Sequence, residues 1–174
     1  MIKLFFDQDM LKNAQSLSVS MGELRNSITG GGGNFAGFLG ELALANHIKA
    51  KRDDDYGHDL MYRDRRIEVK TKRRTVDPCG HYEGSVALAS SHQTPDYYAF
   101  MSITYDNRLY KLNQLRSVWF CGILSYNDFM EKSIIYRVGD KDPSNGFVVL
   151  SDMRNIPYSM LNKITKKSKT VDDV

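Results

Sequence analysis

Between Gln8 and Asn26 the apolar residues Met10, Leu11, Leu17, Met21 and Leu24 recur at helical spacing, which predicts a first helix. The run TGGGGN, Thr29 to Asn34, predicts a loop, because consecutive glycines do not hold a helix interior. Asn34 is the expected N-cap of a second helix, FAGFLGELALANHIKA. There Phe35, Phe38, Leu39, Leu42, Ala45 and Ile48 form one apolar stripe, and Glu41 falls inside it. A carboxylate on an apolar face is costly unless something pairs with it. A neighbouring arginine would satisfy it, and so would a site.

The period then changes to two. HDLMYRDRRIEVKTK, from His58, predicts a hairpin turning at Arg63 and Asp64, although a turn without glycine leaves a longer one open. In that register Tyr62 faces Arg65, Leu60 faces Ile67 and Asp59 faces Glu68. SVALAS is a short strand or a helix. Asp96 to Tyr105 is the clearest strand, and Asn107 turns it into RLYKL. VWFCGILS is a further strand and YNDFMEKS a short helix. The segment from Lys141 to Ile164 reads as a turn, a strand and a final helix or loop. This order predicts an α/β domain around a mixed sheet. Its parts are an N-terminal helical segment over 1–30, a core over 31–165 and a frayed tail over 166–174.

Composition narrows the class. A chain of 174 residues that is 41% hydrophobic suits one globular domain. The net charge of +3 says little about partners, but cations gather at Lys49–Arg52, Arg63–Arg74 and Lys163–Lys169. Each run, taken alone, reads as a solvated stretch, and Asp53, Asp54 and Asp55 as a solvated acidic loop. Cys79 and Cys121 form no CxxC pair, and Cys79 with His81 offers too few ligands for a structural zinc. Reduced thiols are expected. The N-terminal apolar run is too short for a signal peptide and no long apolar segment follows it, so a soluble cytoplasmic protein with no membrane contact is expected.

The chemistry gathers in RIEVKTKRR, Arg66 to Arg74. Glu68 and Lys70 share one side of their strand because the side-chain period is two. Asp59 faces that side from the neighbouring strand, about 5 Å away at Cβ. Glu41 reaches it if its helix packs on the sheet. Three carboxylates and a lysine suit Mg²⁺, with Mn²⁺ as a substitute, because hard oxygen ligands hold that ion beside a phosphate. A nearby ammonium stabilises charge on a phosphate under attack or orients the attacking water.

Asp59, a hairpin and then Glu68-Val69-Lys70, preceded by Glu41 on GFLGELA, resemble the PD-(D/E)XK nuclease superfamily, with His58 where the name has proline. The resemblance runs from Gly37 to Lys72, and more loosely to Ser125 through Gln93 before DYYAF. It implies a restriction-endonuclease-like mixed β-sheet flanked by helices. It also implies Asp59, Glu68 and the Val69 carbonyl as metal ligands, Lys70 as the catalytic lysine, and Glu41 as an outer ligand or the holder of a second metal. WFCGILSYNDFMEKS and YRVGDKDPSNGF resemble small phage-borne nucleases, which implies a host cytoplasm.

The expectation is therefore a Mg²⁺-dependent endodeoxyribonuclease acting on DNA, in which a homodimer would double the basic surface. The alternative is a non-catalytic nucleic-acid-binding protein that retains the fold. Arg66, Lys72 and Arg74 share the face of Glu68 and Lys70 and are the expected contacts to the DNA backbone. Gln93 either orients the site or touches DNA. His58 either meets a phosphate or is a hydrogen-bonding neighbour. The glycine run lacks GK[ST] and reads as a connector.

Overall fold

Ten residues from Arg65 to Arg74 form the strand on which the fold is organised. A computed structural model describes residues 1–21, 33–55, 57–90, 93–141, 146 and 148–163, with the side chains of 54, 55 and 90 left aside. In chain order the elements are β1 (Ile2–Leu4), α1 (Gln8–Met21), α2 (Asn34–Ile48), β2 (Lys51–Asp55), β3 (His58–Tyr62), β4 (Arg65–Arg74) and β5 (Glu83–Ala87). They continue with β6 (Tyr97–Tyr105), β7 (Leu115–Ser125), α3 (Tyr126–Lys132), β8 (Ile134–Tyr136) and β9 (Met153–Pro157). Single 3₁₀ turns sit at Leu88–Ser90, Leu112–Gln114 and Tyr158–Met160.

The main sheet has six strands in the order β1-β7-β6-β4-β3-β2, and β5-β9-β8 form a second, smaller sheet. Within the main sheet β4 and β6 run parallel, and the other pairs are antiparallel. The mixed α/β class expected from the sequence is present. Among the described residues no helix is long and apolar enough to cross a membrane.

Each face of the main sheet carries its own core. On one, Ile67, Val69, Ala99, Met101 and Ile103 pack with Leu11 and Ala14 of α1 and with Leu39 and Leu44 of α2. On the other, Tyr98, Phe100 and Leu124 pack with Phe129 of α3 and Ile156 of β9. A strand covered on both faces normally reads as a continuous apolar run. β4 departs from that rule: Glu68, Lys70, Lys72 and Arg74 alternate along the second face. The strand thus gives its hydrophobic side to α2 and sets its charged residues on the other.

Several expectations are corrected. Gly33 is the N-cap residue of α2, with no side-chain cap bond, and Asn34 is already helical. Ala36, Gly40 and Ala43 are buried as well as Phe38 and Leu39, so α2 is enclosed on more than one stripe. Its approach to β4 is close enough that a Cβ on Gly40 would collide with Thr71 Oγ1. Asp53 to Asp55, read as loop, belong to β2. β1 pairs with β7, so the first residues extend the same sheet. The expected helix beyond Met21, residues 29–32 of the glycine loop, and the tail lie outside the described residues.

Candidate active site

The hairpin turns where the pattern placed it. Tyr62 pairs with Arg65, Met61 with Arg66 and Leu60 with Ile67. Arg63 and Asp64 have φ of 45° and 61°, the two left-handed residues of a type I′ turn. The ladder stops at Leu60–Ile67. Asp59 does not continue it, and instead its Oδ2 accepts the Val69 N–H at 2.7 Å. Where β3 leaves β4, the carboxylate thus replaces a backbone partner.

Glu68 lies on the charged face, 4% exposed, and Lys70 Nζ donates to its Oε1 at 2.6 Å. Gln93 Oε1 stands 3.5 Å from the same ammonium. The other carboxylate oxygen, Glu68 Oε2, is buried and has no hydrogen-bond partner. Burial, and next the Glu68 charge, push the Asp59 carboxyl up to about 7, against the pull of the Val69 N–H, Lys70 and Arg52. Glu68 is also held above its ordinary value, first by burial, with Glu41 adding and Lys70 subtracting. Two adjacent acids therefore resist full ionisation at neutral pH, a condition that a shared proton or a bound cation relieves.

Glu41 is buried, and Arg52 Nε from β2 donates to its Oε2 at 3.0 Å. The Arg52 guanidinium also lies over the Phe38 ring, 5.1 Å from its centroid. α2 covers the apolar face of β4, so Glu41 reaches Glu68 by charge while its carboxylate accepts from Arg52. Arg52 was not among the residues singled out from the sequence. A cation a few residues past the helix was the only signal, inside a run that looked solvated.

Other expected residues are placed as follows. Arg66 binds Asp96 through its backbone N–H (2.8 Å) and its guanidinium (3.2 and 3.3 Å). Arg74 lies between the Tyr82 and Tyr158 rings, 4.5 and 5.6 Å from their centroids, and donates to the Glu83 carbonyl at 3.0 Å. Its guanidinium thus ties β4 to β5. Lys72 is half-buried on the face of Glu68 and Lys70. His58 is buried, its Nε2 lacking a hydrogen bond and 3.6 Å from Asp53 Oδ2. Cys79 and Cys121 are not joined by a disulfide.

The donor set suits a hard cation. Among the described residues no three His, Cys, Asp or Glu side chains are grouped to hold a metal ion. Mg²⁺ does not need such a group, because it binds through one or two carboxylates and completes its shell with water and phosphate oxygens. Asp59 and Glu68 would supply that pair, their carboxyl groups lying close enough to share a proton when no cation is bound. Compared with family models, with curated proteins and with solved structures, the chain matches none.

Proposed function

We propose that the chain is a metal-dependent endodeoxyribonuclease of the PD-(D/E)XK type, hydrolysing DNA phosphodiester bonds at Asp59, Glu68 and Lys70. The observation that carries this reading is the buried Asp59–Glu68 carboxyl pair beside the Lys70 ammonium. A structural ion pair needs one carboxylate per cation. A second acid, desolvated next to the first, raises the cost and makes sense where a divalent cation is to be held.

Asp59 and Glu68 would hold Mg²⁺, with the Val69 carbonyl beside them. The ion, when bound, draws charge from the scissile phosphate and lowers the pKa of bound water. Lys70, held by Glu68 and next to Gln93, presents an ammonium to the phosphate oxygens or the attacking water. Glu41 contributes negative charge from behind the sheet and keeps Arg52 in place. DNA and a second copy of the chain are the proposed partners.

A second reading is a non-catalytic nucleic-acid-binding protein. It is favoured by the Arg52–Glu41 and Lys70–Glu68 pairs, which match two of the three carboxylates with cations of the protein. Nicking of supercoiled and branched DNA in Mg²⁺, in Mn²⁺ and in chelator, beside Glu68→Gln, separates the two. Metal-dependent nicking lost in Glu68→Gln is expected. DNA binding without nicking under any condition selects the second reading.

A further inference from the structure

A cleft of about 360 Å³ opens between the start of β4, the segment leading into β6 and the first residues of α3. Arg66, Asp96, Thr94, Tyr126 and Asn127 are among its walls. Its volume lies within the range of pockets that hold small ligands.

Two backbone bonds and one from backbone to side chain hold its walls together. Asp96 N–H donates to the Arg66 carbonyl at 2.9 Å, Tyr126 N–H donates to the Asp96 carbonyl at 2.9 Å, and Arg66 N–H donates to Asp96 Oδ2 at 2.8 Å. The Arg66 fork is fixed by Asp96 while its side chain remains 47% exposed. It is thus a pre-oriented cation at the cleft rim, of the kind that meets a phosphate oxygen with little loss of rotamer freedom.

Arg66 relates the cleft to the proposed site, being both a wall of the one and a member of the strand that carries the other. Arg66 precedes Glu68 by two residues on the same face, about 7 Å along a strand. Tyr98 is in register with Glu68, and its ring stacks on Tyr126 at 6.1 Å and 27°. Tyr126 is half-buried, packs its ring against Tyr98 and is one of the residues that line the cleft. A phosphate at Glu68 and Lys70 therefore has a cation, then an aromatic wall with Asn127 and Thr94 at its edge, one nucleotide step away.

Resting on the nuclease reading for the identity of the strand as DNA, we propose that this cleft takes one unpaired nucleotide. Its base would lie against Tyr126 and its phosphate at Arg66, so the substrate is single-stranded or locally unpaired DNA. A duplex base reaches such a pocket only by leaving its stack, at a cost of a few kcal/mol that an unpaired base avoids. Aromatic stacking accepts any base, so no sequence preference follows.

The test is equilibrium binding of the full chain in chelator, where no cutting occurs. The probes are a labelled single strand, the same sequence as a blunt duplex, and a duplex with an internal unpaired bubble. The single strand and the bubble are expected to bind about ten-fold tighter than the duplex. Tyr126→Leu removes that preference, while Tyr126→Phe keeps it. Asn127→Ala, at an exposed position, lowers affinity for the single strand about five-fold and leaves the duplex unchanged, which serves where Tyr126→Leu disturbs folding.

Equal affinity for all three probes overturns the proposal. So does an equal loss on duplex and single strand in both Tyr126→Leu and Asn127→Ala, or tighter binding of the matching RNA strand. Cleavage is read separately. Preference for unpaired DNA without cutting in Mg²⁺ would uphold the cleft and remove the nuclease, and metal-dependent cutting without preference would do the reverse.

Discussion

The Asp59–Glu68 pair gives a sharp test of the electrostatics because one substitution removes a charge and little else. In Asp59→Asn the side-chain carbonyl still accepts the Val69 N–H, so the hydrogen bond at 2.7 Å has a counterpart. What disappears is ionisation. The folded state holds the Asp59 proton up to about 7, whereas an aspartate's ordinary value is 3.8. The folded form therefore binds this proton more tightly than the unfolded form. The resulting stability is fully present below pH 3.8, declines as pH rises, and is gone above about 7. That gap corresponds to about 4 kcal/mol at most. Lys70, Arg52 and the coupling to Glu68 reduce what a single substitution recovers, so a gain of about 2 kcal/mol at pH 8 is the working figure. Urea unfolding of both proteins from pH 4 to pH 9, without divalent ions, measures it. The two curves should agree near pH 4 and separate as pH rises, Asp59→Asn being the more stable. A constant difference across that range, or a less stable variant at pH 8, would refute the argument that burial and the Glu68 charge disfavour the ionised form.

Other consequences are equally open to measurement. Glu41→Ala removes the carboxylate that accepts from the Arg52 guanidinium, whose side chain is 19% exposed, and should cost about 3 kcal/mol in urea unfolding, with Glu41→Gln costing less. Gly84→Ala places a Cβ against the Phe100 ring and should cost about 2 kcal/mol, read as a lower thermal midpoint. Arg63→Gly relieves a side chain at φ 45° and should raise stability by about 1 kcal/mol, with the circular dichroism spectrum unchanged. Because Mg²⁺ would bind the ionised carboxylates, its addition at pH 8 should raise the thermal midpoint of the wild type and leave Glu68→Gln unmoved.

The hairpin was legible because its information is local. Period-two alternation and a two-residue turn set which residues oppose each other, and Leu60 meets Ile67 as the pattern requires. β2 was illegible for the complementary reason: Lys51 to Asp55 contain no apolar residue, and the strand forms because β3 offers it an edge. The same holds for Arg74, whose alternation placed it on the correct face but whose contacts with Tyr82 and Tyr158 come from distant segments. β8, Ile134 to Tyr136, is too short to signal itself and exists through pairing with β9. Glu41 was conspicuous as a carboxylate among apolar neighbours, but its partner depended on how the chain returns after α2. Local pattern thus reported where charges are misplaced, and tertiary pairing decided what each one meets.

The end of the β3–β4 ladder explains why the carboxylates converge there and nowhere else along β4. Inside a ladder, backbone groups satisfy one another and side chains on a face stay one strand spacing apart. Past Leu60–Ile67 the backbone partner of Val69 is replaced by the Asp59 carboxylate, which draws that side chain in toward Glu68. β6, parallel to β4 from Ile67 to Arg74, meanwhile keeps Glu68 and Lys70 in register with Tyr98 and Phe100. One side of β4 is therefore held rigidly and the other is released at a single residue. A small set of acids is thereby desolvated together with a lysine fixed beside it, and two cores, one on each face of the sheet, hold that arrangement in place.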